Sequence, residues 1–320
     1  MQALEPARFR VIRPGLLTTV QDLGRFGYQR FGMPVGGAMD TVALRLANRL
    51  VGNPDQAAAL EITVTGPELV FESDAVIALT GADFSPMMNG SPIPLWTTLR
   101  VTRGSTVSFG ERRSGVRAYL AVSGGIDVPL VLGSRATHLL SHTGGFAGRA
   151  LVKGDVLIGG LPSSKIGRLV GRSILPTARP AYSSTAILRV VLGPQTDWFT
   201  VNAVETFVHS RYTVTPRSDR MGYRLSGPPL LHAGSADIVS DATPPGAIQV
   251  PANQQPILLM ADRQTTGGYP KIAVVISADL PLAAQLLPDD TIKFTAIGVH
   301  EAQELAREQQ ARLEKALADS

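Results

Sequence analysis

The stretch ILLMADRQTTGGYPKIAVVI, residues 257–276, joins two short apolar runs through a polar segment. The runs, 257–260 and 272–276, are rich in long or branched aliphatic side chains, which favours buried strands over helices. The polar segment 262–271 is too long for a tight hairpin turn and carries ionisable, hydroxyl and amide groups. Because rigid scaffolds commonly carry function on such loops, this segment is the leading candidate site. The alternative is a loop without a binding function, in which the glycines only allow the backbone to turn.

Short apolar runs of this kind recur along the chain, separated by turn residues from a pool of 32 Gly and 23 Pro. Their spacing, roughly eight to twelve residues, is typical of all-β sandwiches and barrels. Two helices interrupt the pattern, an insert at residues 40–51 and a C-terminal helix near residues 300–318. Asp40 either caps the first of these helices or contacts a ligand.

Similar landmarks follow one another in the two halves of the chain. Arg25-Phe-Gly-Tyr28 resembles Arg220-Met-Gly-Tyr223. Further matches pair 66–71 with 246–250, 76–83 with 257–262, 119–126 with 273–280, and 153–158 with 289–294. This order predicts a tandem duplication of one β domain. The predicted domains are residues 1–180, with the helix insert, and residues 181–320, with the 262–271 loop and the C-terminal helix.

Composition narrows the function classes. The net charge is +4 and the basic residues form no run, which argues against nucleic-acid binding. Cysteine is absent, which excludes disulfides and thiolate metal sites, and the five histidines are too scattered to suggest a metal site. No apolar run reaches the ~20 residues of a membrane span, so a cytoplasmic protein is expected. Phosphate-binding P-loop and serine-nucleophile motifs are also missing.

Two features suggest how an anion could bind, one in residues 218–224 and one within the 262–271 segment itself. Arg220 and Arg224 flank a glycine, which suits either a clamp for a carboxylate or phosphate or a set of surface ion pairs. Gly267 and Gly268 permit positive φ, so their N–H groups could form a small nest that faces an oxyanion.

Along nearly its whole length the chain resembles the carboxyltransferase/allophanate hydrolase subunit 2 family. The resemblance is carried by TVQDLGRFGY (19–28), GGAMD (36–40), AVSGGIDVP (121–129) with LGSR (132–135), SDRMGY (218–223), PGAIQVP (245–251) and DRQTTGGYPK (262–271). It implies a mainly β fold of two tandem cyclophilin-like β-barrel domains. One departure is Asp289, which stands where the family usually has a turn glycine.

The family includes the C subunit of 5-oxoprolinase, an antagonist of a kinase inhibitor, and the carboxyltransferase part of urea carboxylase. The first implies a component of a hydrolase that uses ATP to convert 5-oxo-L-proline to L-glutamate. Its partners would be a subunit 1 homologue, which is the B subunit of that enzyme, and a third lactam-utilisation protein. The alternatives are a regulatory protein that binds a relative of subunit 1, and a carboxyltransferase half-site for biotin carried by another protein. This chain alone is expected to bind no cofactor or metal.

On the enzyme hypothesis, the candidate catalytic residues are Asp262, Gln264 and Lys271. Asp262 would orient the substrate amide, and Arg220 or Arg224 would hold a carboxylate. The further candidate substrate-binding residues are Tyr223, Arg263, Thr265, Thr266, Gly267, Gly268, Tyr269, Gln21, Asp22 and Arg25.

Overall fold

The computed structural model describes residues 5–163 and 166–317, which form a mainly β protein of two units. The first unit comprises residues up to 25, residues 36–182 and those from 312 onward, and the second comprises 26–35 and 183–311. The two consecutive domains that meet at residues 180 and 181 stay a prediction.

The strands of the first unit form two antiparallel sheets, ordered β11-β1-β4-β9-β6-β7 and β2-β3-β10-β5-β8. They are β1 (Arg8–Arg13), β2 (Leu17–Gln21), β3 (Ala59–Thr63), β4 (Glu68–Phe71), β5 (Ala75–Asp83), β6 (Pro86–Met88), β7 (Ser91–Pro92), β8 (Thr98–Val101), β9 (Thr106–Phe109), β10 (Ser114–Val122) and β11 (Val156–Ile158). Helix α1 is Thr41–Leu50, and single 3₁₀ turns lie at Ile166–Leu169 and Pro176–Ala178.

Strand β5 has apolar neighbours on both faces. Ile77 and Leu79 join the core between the sheets, where the stacked rings of Phe9 and Phe71 also lie. The alternate residues, including Val76, contact the buried side of α1. This double burial explains why the strand is a nearly continuous apolar run and lacks the alternation of a half-exposed strand.

A buried polar network fixes the start of α1. Asp40 is the N-cap, and its Oδ1 accepts the N–H of Ala43 at 2.9 Å. Its own N–H donates to the hydroxyl of Tyr119, which donates to Glu61 at 2.7 Å. Burial, followed by the nearby charge of Glu61, raises the pKa of Tyr119, so the hydroxyl keeps its proton and remains a donor. Of the two roles considered for Asp40, the structure confirms the cap.

The second unit contains a closed seven-stranded barrel with the ring order β12-β19-β16-β17-β14-β13-β20. The strands of this unit are β12 (Thr185–Leu192), β13 (Arg211–Val214), β14 (Gly222–Ser226), β15 (Asp241–Ala242), β16 (Ala247–Gln249), β17 (Ile257–Leu259), β18 (Thr266–Gly267), β19 (Lys271–Val275) and β20 (Thr291–Ala296). Strands β15 and β18 form a separate two-stranded ribbon. The mainly β fold with a barrel is confirmed.

Three α-helices and two 3₁₀ turns accompany this barrel: α2 (Val201–His209), α3 (Leu280–Ala283), α4 (Val299–Glu314), Gln29–Phe31 and Thr196–Trp198. Helix α4 is the expected C-terminal helix. Helix α2 was not predicted, because only Ala203 and Phe207 are buried in it and its valines are typical of strands. The ring of Phe207 stacks on Phe294 of the barrel at 4.6 Å.

Two of the equivalences proposed between the halves are wrong, because the matched strands have different neighbours. Strands β5 and β10 are hydrogen-bonded neighbours, whereas their assigned counterparts β17 and β19 are separated by β16. Asp83/Asp262 and Ser123/Ser277, which depend on those strand assignments, are therefore not equivalent positions. The equivalence of Arg25 and Arg220 stays a prediction. A short apolar run indicates a strand but does not specify its neighbour, so landmarks in the same order did not fix the topology. Asp289 does adopt the left-handed φ of 74° that a turn glycine would favour.

We expect Asp40→Ala to lower the free energy of unfolding of the first unit by about 1–2 kcal/mol, because the helix loses its N-cap. The substitution also removes the acceptor of the Tyr182 hydroxyl, which lies 2.7 Å from Asp40 Oδ2. Urea denaturation followed by Trp96 fluorescence would measure this change. Asp40→Asn keeps a capping oxygen and should lower the free energy of unfolding much less. Equal decreases in the two variants would contradict the capping role.

Candidate functional site

The strand register places one row of side chains on the outer face of the barrel. Arg224 of β14 and Gln249 of β16 both lie opposite Ile257 of β17, so these three share a face. The preceding residue, Tyr223, pairs with Leu258 and is 2% exposed, because alternate strand residues point to opposite faces. Tyr223, a predicted ligand contact, therefore faces the barrel interior.

This outer face contributes to an open cleft of about 560 Å³. Gln264 and Tyr269 of the 262–271 loop line it, together with Arg224 and Gln249. The remaining lining residues are Arg217, Asp219, Met221, Gly222, Asp237, Pro251, Ala252, Asn253, Ile257 and Leu259. The cleft thus combines guanidinium, carboxylate, carboxamide and phenol groups with aliphatic surface, which suits a small polar organic molecule.

Two carboxamides are linked at the wall of the cleft. Gln264 Nε2 donates to Gln249 Oε1 at 3.2 Å, and Gln249 Nε2 donates to the carbonyl of Tyr269 at 3.2 Å. Gln249 is only 1% exposed, so packing as well as hydrogen bonding fixes its side chain. Within the described residues Gln264 Oε1 has no donor. It is therefore an available acceptor on an exposed side chain.

Gly267 and Gly268 do not form the predicted nest, because neither has a positive φ. Gly267 instead lies in β18, where it pairs with Asp241 of β15. A Cβ atom on Gly267 would lie 2.5 Å from Gln249 Nε2, so close approach of the carboxamide requires the glycine. The nest prediction was wrong because glycine permits a positive φ without imposing one.

Asp262 and Arg220 bind each other, although separate ligand contacts were predicted for them. Arg220 Nε donates to Asp262 Oδ2 at 2.8 Å, and Nη2 donates to Oδ1 at 3.1 Å. Both residues are 7% exposed. The N–H of Asp262 also donates to the carbonyl of Arg220 at 2.9 Å. The pair therefore ties the turn after β17 to the turn before β14.

Lys271, a predicted catalytic residue, also has a carboxylate partner. Its ammonium lies 2.7 Å from Asp241 Oδ2, and its side chain is 2% exposed while that of Asp241 is 50% exposed. The hydrogen bond from Lys271 lowers the pKa of Asp241. Because Asp241 belongs to β15, this ion pair connects the ribbon to barrel strand β19.

The other polar residues of the loop are held mainly by backbone groups. Arg263 is buried, and its Nε donates to the carbonyl of Thr243 at 2.8 Å. Burial lowers the pKa of Arg263 to about 10. Thr265 accepts the N–H of Thr243 through its carbonyl at 3.1 Å, and Thr266 lies in β18. The predicted ligand contacts of these three residues stay predictions.

Gln21, Asp22 and Arg25 lie in the first unit, where each is buried and hydrogen-bonded to the segment 134–137. Gln21 Nε2 donates to the carbonyl of Thr137 at 3.1 Å. Asp22 Oδ1 accepts the hydroxyl of Ser134 at 2.7 Å. Arg25 Nη2 donates to the carbonyl of Ala136. These contacts explain why the three are buried. Their role toward a ligand stays a prediction.

Residues 5–163 and 166–317 contain no group of three or more His, Asp or Glu side chains arranged to hold a metal ion. In the same part of the chain, no helix has the length and hydrophobicity needed to cross a membrane.

The family model of the carboxyltransferase domain, subdomain A and B, matches residues 31–296. The chain belongs to this family. It is 38% identical over 306 residues to the C subunit of 5-oxoprolinase from Escherichia coli K12, with 96% of each protein covered. It is 37% identical over 332 residues to urea amidolyase of Lachancea kluyveri, with 97% of this chain but 18% of that protein covered.

Two solved structures of Kluyveromyces lactis proteins are also similar. Urea amidolyase gives a TM-score of 0.91 at 34% identity, covering 97% of this chain and 20% of that protein. Urea carboxylase gives a TM-score of 0.89 at 35% identity, and the match covers 97% of this chain and 29% of that protein. The chain thus spans less than a third of these longer relatives but nearly the whole length of the 5-oxoprolinase relative.

Sequence reasoning missed several lining residues of this carboxyltransferase-family cleft. Arg217 and Asn253 stand just outside the motifs SDRMGY and PGAIQVP. Gln249 lies within the second motif, yet the motif alone did not show that its amide holds Gln264. Asp237 lies in an exposed segment without a motif, so no signal in the sequence could have found it.

We expect Asp262→Ala to lower the free energy of unfolding of the second unit by about 3 kcal/mol or more, because Arg220 is left as a buried unpaired charge. The double variant Arg220→Met/Asp262→Leu removes both charges and should recover most of that loss. Urea denaturation of all the variants, followed by Trp198 fluorescence, measures the coupling.

Asp83→Ala is a control, since the side chain of Asp83 accepts only the N–H of Ser85 within the described residues. It should cost about 1 kcal/mol or less. An Asp262→Ala protein that unfolds at the same urea concentration as the parent would mean that the ion pair contributes nothing.

The Lys271–Asp241 pair predicts acid sensitivity of the ribbon. Because the pKa of Asp241 is lowered in the fold, its stabilising contribution is present above the unfolded value near 4 and is lost as the pH falls through the lowered value. Hydrogen exchange at the amide of Ile238, which donates to Gly268 at 2.8 Å, reports on ribbon opening. After correction for intrinsic rates, protection should be lower at about pH 3 than at about pH 6.

In Asp241→Asn the exchange protection should be low at both pH values, because no carboxylate faces the ammonium. Protection in the parent protein that does not change with pH would contradict this role of the ion pair.

Proposed function

We propose that this chain is the C subunit of an ATP-dependent amidohydrolase complex that converts 5-oxo-L-proline to L-glutamate. The observation that carries the proposal is the 38% identity to the C subunit of Escherichia coli 5-oxoprolinase, which extends over 96% of both proteins. The corresponding protein of Haemophilus influenzae agrees, at 37% identity over 93% of this chain. A relative matched along its whole length supports the proposal more directly than a fused enzyme of which the chain covers a fifth.

The cleft offers groups that complement a lactam carrying a carboxylate. Gln264 Oε1 is an available acceptor for the lactam N–H, and Gln249 orients its carboxamide. Arg224 has a solvent-exposed guanidinium on the same face and could pair with the carboxylate. In this proposal Gln264 replaces Asp262 as the group that orients the amide, because Asp262 is occupied by Arg220.

The proposal gives this chain the recognition of the amide and gives its partners the ATP-dependent activation. A stable amide needs an activated carbonyl before water can attack it, and the cleft presents no paired nucleophile and base. The partners proposed are a subunit 1 homologue and a third lactam-utilisation protein. Asp262 and Lys271 would act by holding the loop in place.

Reconstitution tests this proposal. This chain, mixed with the subunit 1 homologue and the third protein, should release glutamate from 5-oxoproline only in the presence of ATP. Gln264→Ala should lower kcat/KM by about ten-fold, since it removes one hydrogen bond to the amide and the support of Gln249. Gln303→Ala, an exposed glutamine of α4, is the matched control and should leave the rate unchanged.

The absence of ATP-dependent glutamate release from the assembled complex would refute the proposal. A normal rate for Gln264→Ala would refute only the assigned role of Gln264.

A second candidate is a carboxyltransferase half-site that uses biotin carried by another protein. The similarity to the Kluyveromyces lactis urea amidolyase structure, with a TM-score of 0.91, favours it. Under this alternative, the carboxyl group of labelled bicarbonate should be transferred to urea when a biotinylated carrier, its carboxylase and ATP are supplied, with ADP and phosphate released. Transfer to urea together with no glutamate release would replace the first proposal with this one.

A further inference from the structure

A second cavity, of about 250 Å³, adjoins the cleft on the outer face of the barrel. Arg217, Arg224, Asn253 and Ile257 line both, so they form a shared wall. The remaining lining residues are Thr215, Leu225, Ser226, Gly227, Gln255 and Pro256. We call it the arginine cavity.

The arginine cavity contains two positive charges and no acidic side chain among the described residues that line it. Elsewhere in the second unit, Arg189, Arg220 and Lys271 each have a carboxylate partner within 4.0 Å. Arg217 and Arg224 have no carboxylate partner within that distance in residues 5–163 and 166–317. Uncompensated guanidinium groups beside a concave surface attract anions.

The neutral groups of the cavity supply further donors. Thr215 lines the cavity, but its Oγ1 has almost no solvent-accessible surface and is therefore not counted among these donors. Asn253 Oδ1 accepts the N–H of Gln255 at 3.2 Å, which leaves its amide nitrogen without a partner inside the described chain. Ser226 adds an exposed hydroxyl. These donors and the two arginines exceed what the two oxygens of a carboxylate can accept, whereas a phosphate presents three or four oxygens.

The backbone that carries these groups is held by its own hydrogen bonds. The N–H of Thr215 donates to the carbonyl of Arg224 at 2.9 Å, and the N–H of Ser218 donates to the carbonyl of Thr215 at 3.1 Å. Asp219 Oδ1 accepts the N–H of Met221 at 2.8 Å. Both arginines therefore belong to one ordered hairpin, with Arg217 in the turn between β13 and β14 and Arg224 in β14. Binding would thus require little reordering of the backbone.

We propose that the arginine cavity binds a phosphate dianion, either inorganic phosphate or the terminal phosphate of a nucleotide. The arginine cavity adjoins the cleft, but the phosphate proposal does not require the ligand of the cleft to be an amide. Arg224 can serve both, because a guanidinium has five N–H donors. A phosphate in this cavity would lie directly beside any ligand in the cleft.

Calorimetric titration of the full chain with inorganic phosphate at about pH 8, where phosphate is mostly a dianion, tests this site. We expect saturable binding that weakens as the salt concentration rises. Parallel titrations with ATP in EDTA, and with acetate, define the ligand. Tighter binding of ATP than of phosphate assigns a nucleotide, and the reverse order assigns inorganic phosphate; both outcomes support the site.

Arg217→Gln and Arg224→Gln should each weaken phosphate binding by about ten- to hundred-fold, through loss of a charge-assisted contact. Thr215→Val removes a hydroxyl that is not accessible from the cavity and should leave phosphate binding nearly unchanged. Arg211→Gln is the matched control, since Arg211 is an exposed arginine of β13 that lines neither cavity. Thermal melts would confirm that each variant is folded.

Three results would overturn the proposal. They are the absence of saturable phosphate or ATP binding, acetate binding as tight as phosphate binding, and an equal loss of affinity in Arg211→Gln. Each is independent of glutamate release, so the phosphate site and the amidohydrolase proposal can fail separately.

Discussion

Closure of the seven-stranded barrel is the constraint on which the geometry of the second unit depends. The ring closes where β12 and β20 pair in parallel, from Thr185 opposite Thr291 to Val190 opposite Ala296. A closed ring has no free edge, so every strand has one face turned inward and one turned outward. The outward face of β14, β16 and β17 is thereby a rigid surface, and the positions of Arg224 and Gln249 on it follow from the register.

The polar residues in and around the 262–271 loop divide into two groups by their surroundings. Asp262 and Lys271 are buried, and each has an oppositely charged partner that it would have to leave in order to act on a ligand. Breaking a buried pair strands a charge, which is why such residues serve better as supports than as reactants. Gln264 and Arg224 are exposed and keep hydrogen-bonding capacity, so they are the residues to which we assign ligand contacts in the proposed function.

Much of the fold could be predicted from the sequence, because its signals are local. Apolar runs between turn residues indicated the strands, and Asp40 ahead of an amphipathic segment indicated α1. Strand neighbours were not predictable, since pairing joins residues far apart in the chain and similar runs fit several partners. The same limit applied to the site: residue types in the 262–271 loop located the cleft, but the partner of Asp262 is 42 positions away. Tyr223 was predicted to contact a ligand because it lies in a motif beside Arg220 and Arg224. The motif does not encode the strand register, and it is the register that turns Tyr223 toward the barrel interior.

The close approach of Gly267 to Gln249 has a consequence for comparing relatives. Any side chain at position 267 would displace the carboxamide of Gln249 from where it meets Gln264. A glycine at this position is therefore a marker, readable from sequence alone, that a relative can keep the pair of amides. Family members with a larger residue there must orient the glutamine of PGAIQVP differently, and we expect them to recognise ligands with a different pattern of donors and acceptors. One position without a side chain thus constrains which arrangement of amides this chain can hold.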